Sequence, residues 1–182
     1  MGQYYKPCIL QDDKQTIKAW VYSHDFGSGL KLMEHSWFKN EFVGSVEKQL
    51  TPHGSWYKSR IVWAGDYADT IGAEDTTTGN TYDLCSDDFK FQPPAGVIDK
   101  SYKYIINHSK KEFVNKTKVK SVDGWKIHPL PLLTSEGNGR GGGDFGGDDP
   151  NKLIGSWARD VISVETVKPI GYKEIIFDLT EG

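Results

Sequence analysis

Only one stretch of this chain repeats its apolar residues at the period of a helix. Phe42, Val43, Val46 and Leu50 fall at i, i+1, i+4 and i+8, behind Asn40 as a cap and Glu41 in the first turn. Thr51-Pro52-His53-Gly54 closes the run. The other apolar residues come in runs of strand length, cut by polar or Gly/Pro turns. Tyr4 to Leu10 and Thr16 to Tyr22 flank the polar turn Gln11 to Gln15, which predicts a hairpin. Asp25 to Gly29 reads as a loop, and Leu30 to Trp37 as a mixed segment. Arg60 to Ala64 is a short, nearly continuous apolar strand. Tyr102 to Asn107 and Glu112 to Asn115, around His108-Ser109-Lys110-Lys111, predict a second hairpin. Trp125 to Leu133 carries prolines at 129 and 131, which demote it to an edge strand or extended segment. Trp157 to Glu165 and Lys173 to Leu179 read as strands. Strands, one helix, then more strands predict an α+β fold: a single domain over 1–182, a mainly antiparallel sheet, one helix at about 40–50, and long loops.

Such a fold needs large buried side chains, and six Trp, nine Tyr and eight Phe supply them. The formal charge of −3 argues against a strongly basic nucleic-acid binder, but the charge is unevenly spread. Residues 66–88 hold seven acidic residues and no Lys or Arg, whereas residues 100–126 hold eight Lys. Cys8 and Cys85 match no zinc or redox spacing and read as two free thiols of a cytoplasmic protein. The first ten residues do not resemble a secretory signal, and Lys6 breaks a myristoylation pattern. No apolar run approaches the roughly 20 residues that span a bilayer.

The stretch Gly137 to Gly147 has seven glycines in eleven residues. Ordering such a loop costs much backbone entropy, so it is either a mobile connection or is ordered around a partner. Gly137, Gly139 and Gly142 match the spacing of a dinucleotide fingerprint, but no helix start follows them to hold a pyrophosphate. No Walker lysine follows either. Arg140 and Asp144 are its only charged residues, and with Gly139 and Gly142 they form a candidate partner contact.

Asp66 and Asp69, just past an apolar strand, form a candidate acidic site. With Asp144, Asp148 and Asp149 they could hold Mg²⁺ for phosphodiester hydrolysis, although solvated loop carboxylates explain them more simply. The five histidines show no metal-ligand spacing, and His35 beside Ser36 reads as a packed structural residue. No cofactor or metal motif is complete. Lys103, Lys110 and Lys111, interleaved with Tyr102, Tyr104 and Phe113, can track a nucleic-acid backbone or form a solvated face.

Four pieces carry a resemblance: Met1 to Pro7, Gly29 to Ser36, Val62 to Asp69, and the loop from Gly137 to Asp144. They resemble small hypothetical proteins of Firmicutes, their phages and mobile elements, a group said to include type II anti-CRISPR inhibitors of Cas9. The resemblance implies a non-enzymatic protein whose partner is Cas9 with its guide RNA, with double-stranded DNA as a further contact. The alternative reading is a phosphate- or nucleotide-handling enzyme, a metal-assisted hydrolase using Asp66, Asp69 and the glycine-rich loop.

Overall fold

The computed structural model describes residues 3–68, 80–121, 124–137 and 152–178. Its frame is one eight-stranded sheet, mostly antiparallel, with three helices of which only one exceeds a turn or so, an α+β architecture as the sequence predicts. β1 (Tyr5–Leu10) and β2 (Ile17–Trp20) form the first hairpin, with Cys8 opposite Trp20. Its turn is held by Asp13, whose carboxylate accepts the Gln15 and Thr16 backbone N–H groups.

After β2 come the one-turn helix α1 (Leu32–His35) and then α2 (Glu41–Gln49). Asn40 caps α2: its Oδ1 accepts the Phe42 and Val43 N–H groups at 2.9 and 3.0 Å. Phe42, Val43, Val46 and the capping residue Leu50 are fully buried, as the helical period requires. Gly44 lets the backbone at Gly96 lie against the helix, since a Cβ there would fall 2.4 Å from the Gly96 carbonyl oxygen.

β3 (Ser59–Gly65) is an interior strand with three neighbours in the sheet. It pairs with β1 from Arg60 to Gly65. Its other edge is shared between β6 (Ser135–Glu136) at Trp63 and Ala64, and β7 (Val161–Glu165) at Ser59 and Arg60. The second hairpin, β4 (Tyr104–Asn107) and β5 (Glu112–Asn115), joins β7 on one side and β8 (Lys173–Glu174) on the other. Alternation along β3 divides the core. Ile61 and Trp63 join α2, Ile105, Val114 and Val164 in the larger cluster, while Val62 and Ala64 join Cys8, Leu10 and Trp20 in the smaller.

Three expectations need correction. The segment read as extended contains α3 (Pro129–Leu133). Its prolines fall in the first turn, where a missing N–H costs nothing, and His128 Nδ1 accepts the Leu130 N–H at 3.1 Å. Strand β7 starts at Val161, because Gly155 and Trp157 instead donate their N–H groups to the Leu132 and Leu133 carbonyls at the end of α3. Strand β8 covers only Lys173 and Glu174.

Candidate functional site

The segment Ser36 to Phe38 runs beside Lys126 to His128. Phe38 N–H donates to the Lys126 carbonyl at 3.0 Å and His128 N–H to the Ser36 carbonyl at 2.9 Å, with Trp37 opposite Ile127. This short ladder, the first half of α2, and the chain around residues 97–103 enclose a cleft of about 410 Å³. Trp37, Phe38 and Tyr102 give it aromatic walls. Trp125, beside the ladder and 60% exposed, lies 5.0 Å from Trp37 between ring centroids. That distance is ordinary for an aromatic pair.

The cleft reaches a buried charge cluster. Glu47 is 2% exposed. Its Oε2 meets Lys116 Nζ at 2.6 Å, and its Oε1 lies 2.8 Å from His128 Nε2. Burial pushes the Glu47 carboxyl up, but His128 and Lys116 outweigh that and hold it at about 2. Because His128 Nδ1 accepts the Leu130 N–H, its proton sits on Nε2, against the carboxylate. The Nδ1 lone pair is taken by Leu130 and the proton is on Nε2, so His128 has no lone pair free to act as a base on a substrate. The cluster is a structural floor.

Around that floor stand Lys39, Lys100, Lys103 and Lys126. None of the four has a carboxylate partner among the described residues. Lys126 instead lies over the Phe38 ring, 4.4 Å from its centroid. The other lysines of the 100–126 block are mostly spent: Lys110 pairs with Asp160, Lys116 with Glu47, Lys118 with Glu174 and Lys120 with Asp178.

The three lysines read as one contact surface are therefore separated in role. Lys103 lines the cleft. Lys110 is tied down by Asp160, and Lys111 sits in the hairpin turn with a positive φ of 55°. The strand of β4 separates Lys103 from that turn by about 13 Å, at roughly 3.3 Å per residue. Asp66 accepts the Tyr4 N–H on Oδ1 at 2.9 Å, and its backbone carbonyl accepts from Asn80. Burial and then the Asp66 charge push the nearby Tyr82 hydroxyl up to about 12. Asp69, Gly139, Arg140, Gly142 and Asp144 lie outside the described residues, as do Asp148 and Asp149. Among the described residues no group of three or more His, Cys, Asp or Glu is placed to hold a metal ion.

His35 is a packed residue, as the sequence reading has it. Its Nδ1–H donates to the Gly29 carbonyl at 2.9 Å and its Nε2 accepts the Trp63 indole N–H at 3.0 Å. Burial drops its pKa to about 4, keeping the ring neutral. A second histidine network joins His108 Nε2 to Ser163 Oγ at 2.7 Å and Ser163 to Glu165 at 2.6 Å. Ser163 is fully buried and its proton is given to Glu165, so it is no exposed nucleophile.

Sequence reading missed Glu47 and His128, although one signal was present. Glu47 follows Val43 by four and precedes Leu50 by three, which puts a carboxylate on the apolar stripe. It also missed that Cys8 and Cys85 lie 3.3 Å apart, sulfur to sulfur. Burial, followed by the Cys85 contact, pushes the Cys8 thiol well above its ordinary value. No helix among the described residues is long and apolar enough to cross a membrane. No family model, curated protein or solved structure matches this chain.

Proposed function

We propose that this chain is a non-enzymatic inhibitor that binds the Cas9–guide RNA complex and blocks DNA cleavage. It would act in the cytoplasm, where such a complex works. The cleft is the face that meets the anionic part of that complex, guide RNA or target DNA. The observation carrying this is the set of four rim lysines without a carboxylate partner among the described residues, beside exposed aromatic surface. Lysines left unpaired around an aromatic wall suit a partner that brings negative charge. The sequence resemblance supplies the identity of the partner. The Gly137–Gly147 loop, with Arg140 and Asp144, is a second contact in this reading.

The test mixes purified protein with Cas9–guide complex and follows target cleavage and co-elution. Inhibition with co-elution is expected, weakened in a variant with Lys39, Lys100, Lys103 and Lys126 all changed to Gln. Unchanged cleavage at large molar excess, without co-elution, overturns the reading.

A further inference from the structure

We propose that the cleft is a binding site for single-stranded nucleic acid, taking an unpaired base against Trp37 and Trp125 and neighbouring phosphates on Lys39, Lys100, Lys103 and Lys126. This deepens the reading above: it rests on the cleft as the contact face but does not need Cas9.

Three observations select this ligand. The first is the Trp37–Trp125 pair. Trp125, left 60% exposed against the cleft-lining Trp37, offers a flat π-surface beside the cleft. Unpaired bases stack on such surfaces whatever their sequence, whereas bases inside a duplex have both faces covered. The second is size. About 410 Å³ is the scale of a small-ligand pocket, room for a base and its sugar but not for a double helix. The third is the mixture of charges. Four lysines without a carboxylate partner among the described residues favour a polyanion, yet the exposed Asp99 also lines the cleft. A carboxylate accepts from the N–H groups on base edges and repels the side chains of an acidic peptide. An anion with donor groups on its apolar part fits all three, and a nucleotide strand has that chemistry.

The experiment uses the whole chain and a fluorescently labelled oligothymidylate of about 12 nucleotides, within the span that single-strand sites cover. The same oligonucleotide annealed to its complement, and polyglutamate as competitor, are the other arms. Anisotropy is read over a salt series. The single strand is expected to bind about tenfold or more tightly than the duplex. Trp125→Ala should weaken it about five- to a hundredfold, and Trp125→Phe should restore most of that. Changing Lys100, Lys103 and Lys126 together to Gln should flatten the log–log salt slope by about 2, at about 0.7 per phosphate contact on a single strand. Trp125 is exposed, so circular dichroism and melting of its variants should match the parent. The proposal is overturned if the single strand fails to bind at low salt or the duplex binds equally. It is also overturned if polyglutamate displaces the strand more effectively than unlabelled oligonucleotide, or if Trp125→Ala binds as the parent does. Oligonucleotide binding without Cas9 inhibition breaks the functional reading and leaves this one standing. Inhibition without oligonucleotide binding does the reverse.

Discussion

The two ends of the β4–β5 hairpin are built from the same kinds of residue and use them differently. At the turn end, Lys110 is paired with Asp160, Asn107 donates to the same carboxylate, and His108 is held between Tyr172 and Ser163. The Lys110 charge is absorbed there within the chain, while Lys111 beside it has no carboxylate partner among the described residues. At the other end, one lysine, Lys116, is buried against Glu47, and the rim lysines of the cleft have no carboxylate partner among the described residues. Charge count alone does not distinguish the two ends. What distinguishes Lys110 from the rim lysines is whether the cation already has an anion, and that decides which of them has affinity to spare for a partner.

The largest effect should come from breaking the floor of the cleft. Glu47→Ala leaves Lys116 buried without its anion, and removing one partner of a buried pair typically costs about 3–5 kcal/mol. Denaturant unfolding should show that loss as a lowered midpoint, with Glu47→Gln losing less because the amide oxygen still accepts from Lys116. A loss below about 1 kcal/mol would mean that the pair is solvated like a surface contact, and the contrast between the two ends would fall.

Acid should take the two ends apart in sequence. Burial, then the Lys58 charge, lower the His108 pKa, with Glu165 pulling the other way. A histidine lowered on folding binds its proton more readily when unfolded, so its stability contribution falls as pH drops below about 6.5. Glu47 has the opposite sign. Its folded value of about 2 lies below the unfolded one, so its contribution is full above about 4.5 and is lost as pH falls towards 2. Hydrogen exchange at about pH 5.5 should therefore show amides of the His108 turn opening while those around Glu47 and His128 keep their protection. His35, held at about 4 by burial, adds a loss of roughly 3 kcal/mol to global stability between about pH 6.5 and 4. If protection is lost first around Glu47, the assignment of the two ends is wrong.

Elements with a local signature were legible in the sequence. Helix α2 has its cap and its period, and both hairpins have their turns, so their bounds fall within a residue or two of expectation. Helix α3 was not, because Pro129 and Pro131 speak against a central strand and also suit a helix's first turn. What decides between these is tertiary: His128 is held by Ser36 and Glu47 and so is placed to cap the helix. The cleft was half legible. The lysine-rich block is obvious, but which of its members are free depends on Asp160, Glu174 and Asp178, all far along the chain. The same distance in sequence hid the contact between Cys8 and Cys85.

The smallest effect is the one that tests the comparison most directly. Lys110 and Lys103 flank the same strand and both are exposed. Lys110→Gln removes a partly exposed ion pair with Asp160, so it should cost about 0.2–1 kcal/mol of stability. It should leave the salt dependence of oligonucleotide binding unchanged, because that charge is already satisfied. Lys103→Gln should do the reverse: stability within about 0.5 kcal/mol of the parent, and a salt slope shallower by about 0.7. Thermal melts and anisotropy on the two single variants separate these outcomes. Equal changes in slope would show that the hairpin is one undifferentiated cationic face, and the distinction between spent and unspent lysines would not survive. A stability loss in Lys103→Gln as large as that in Lys110→Gln would place Lys103 in an internal pair and remove it from the rim.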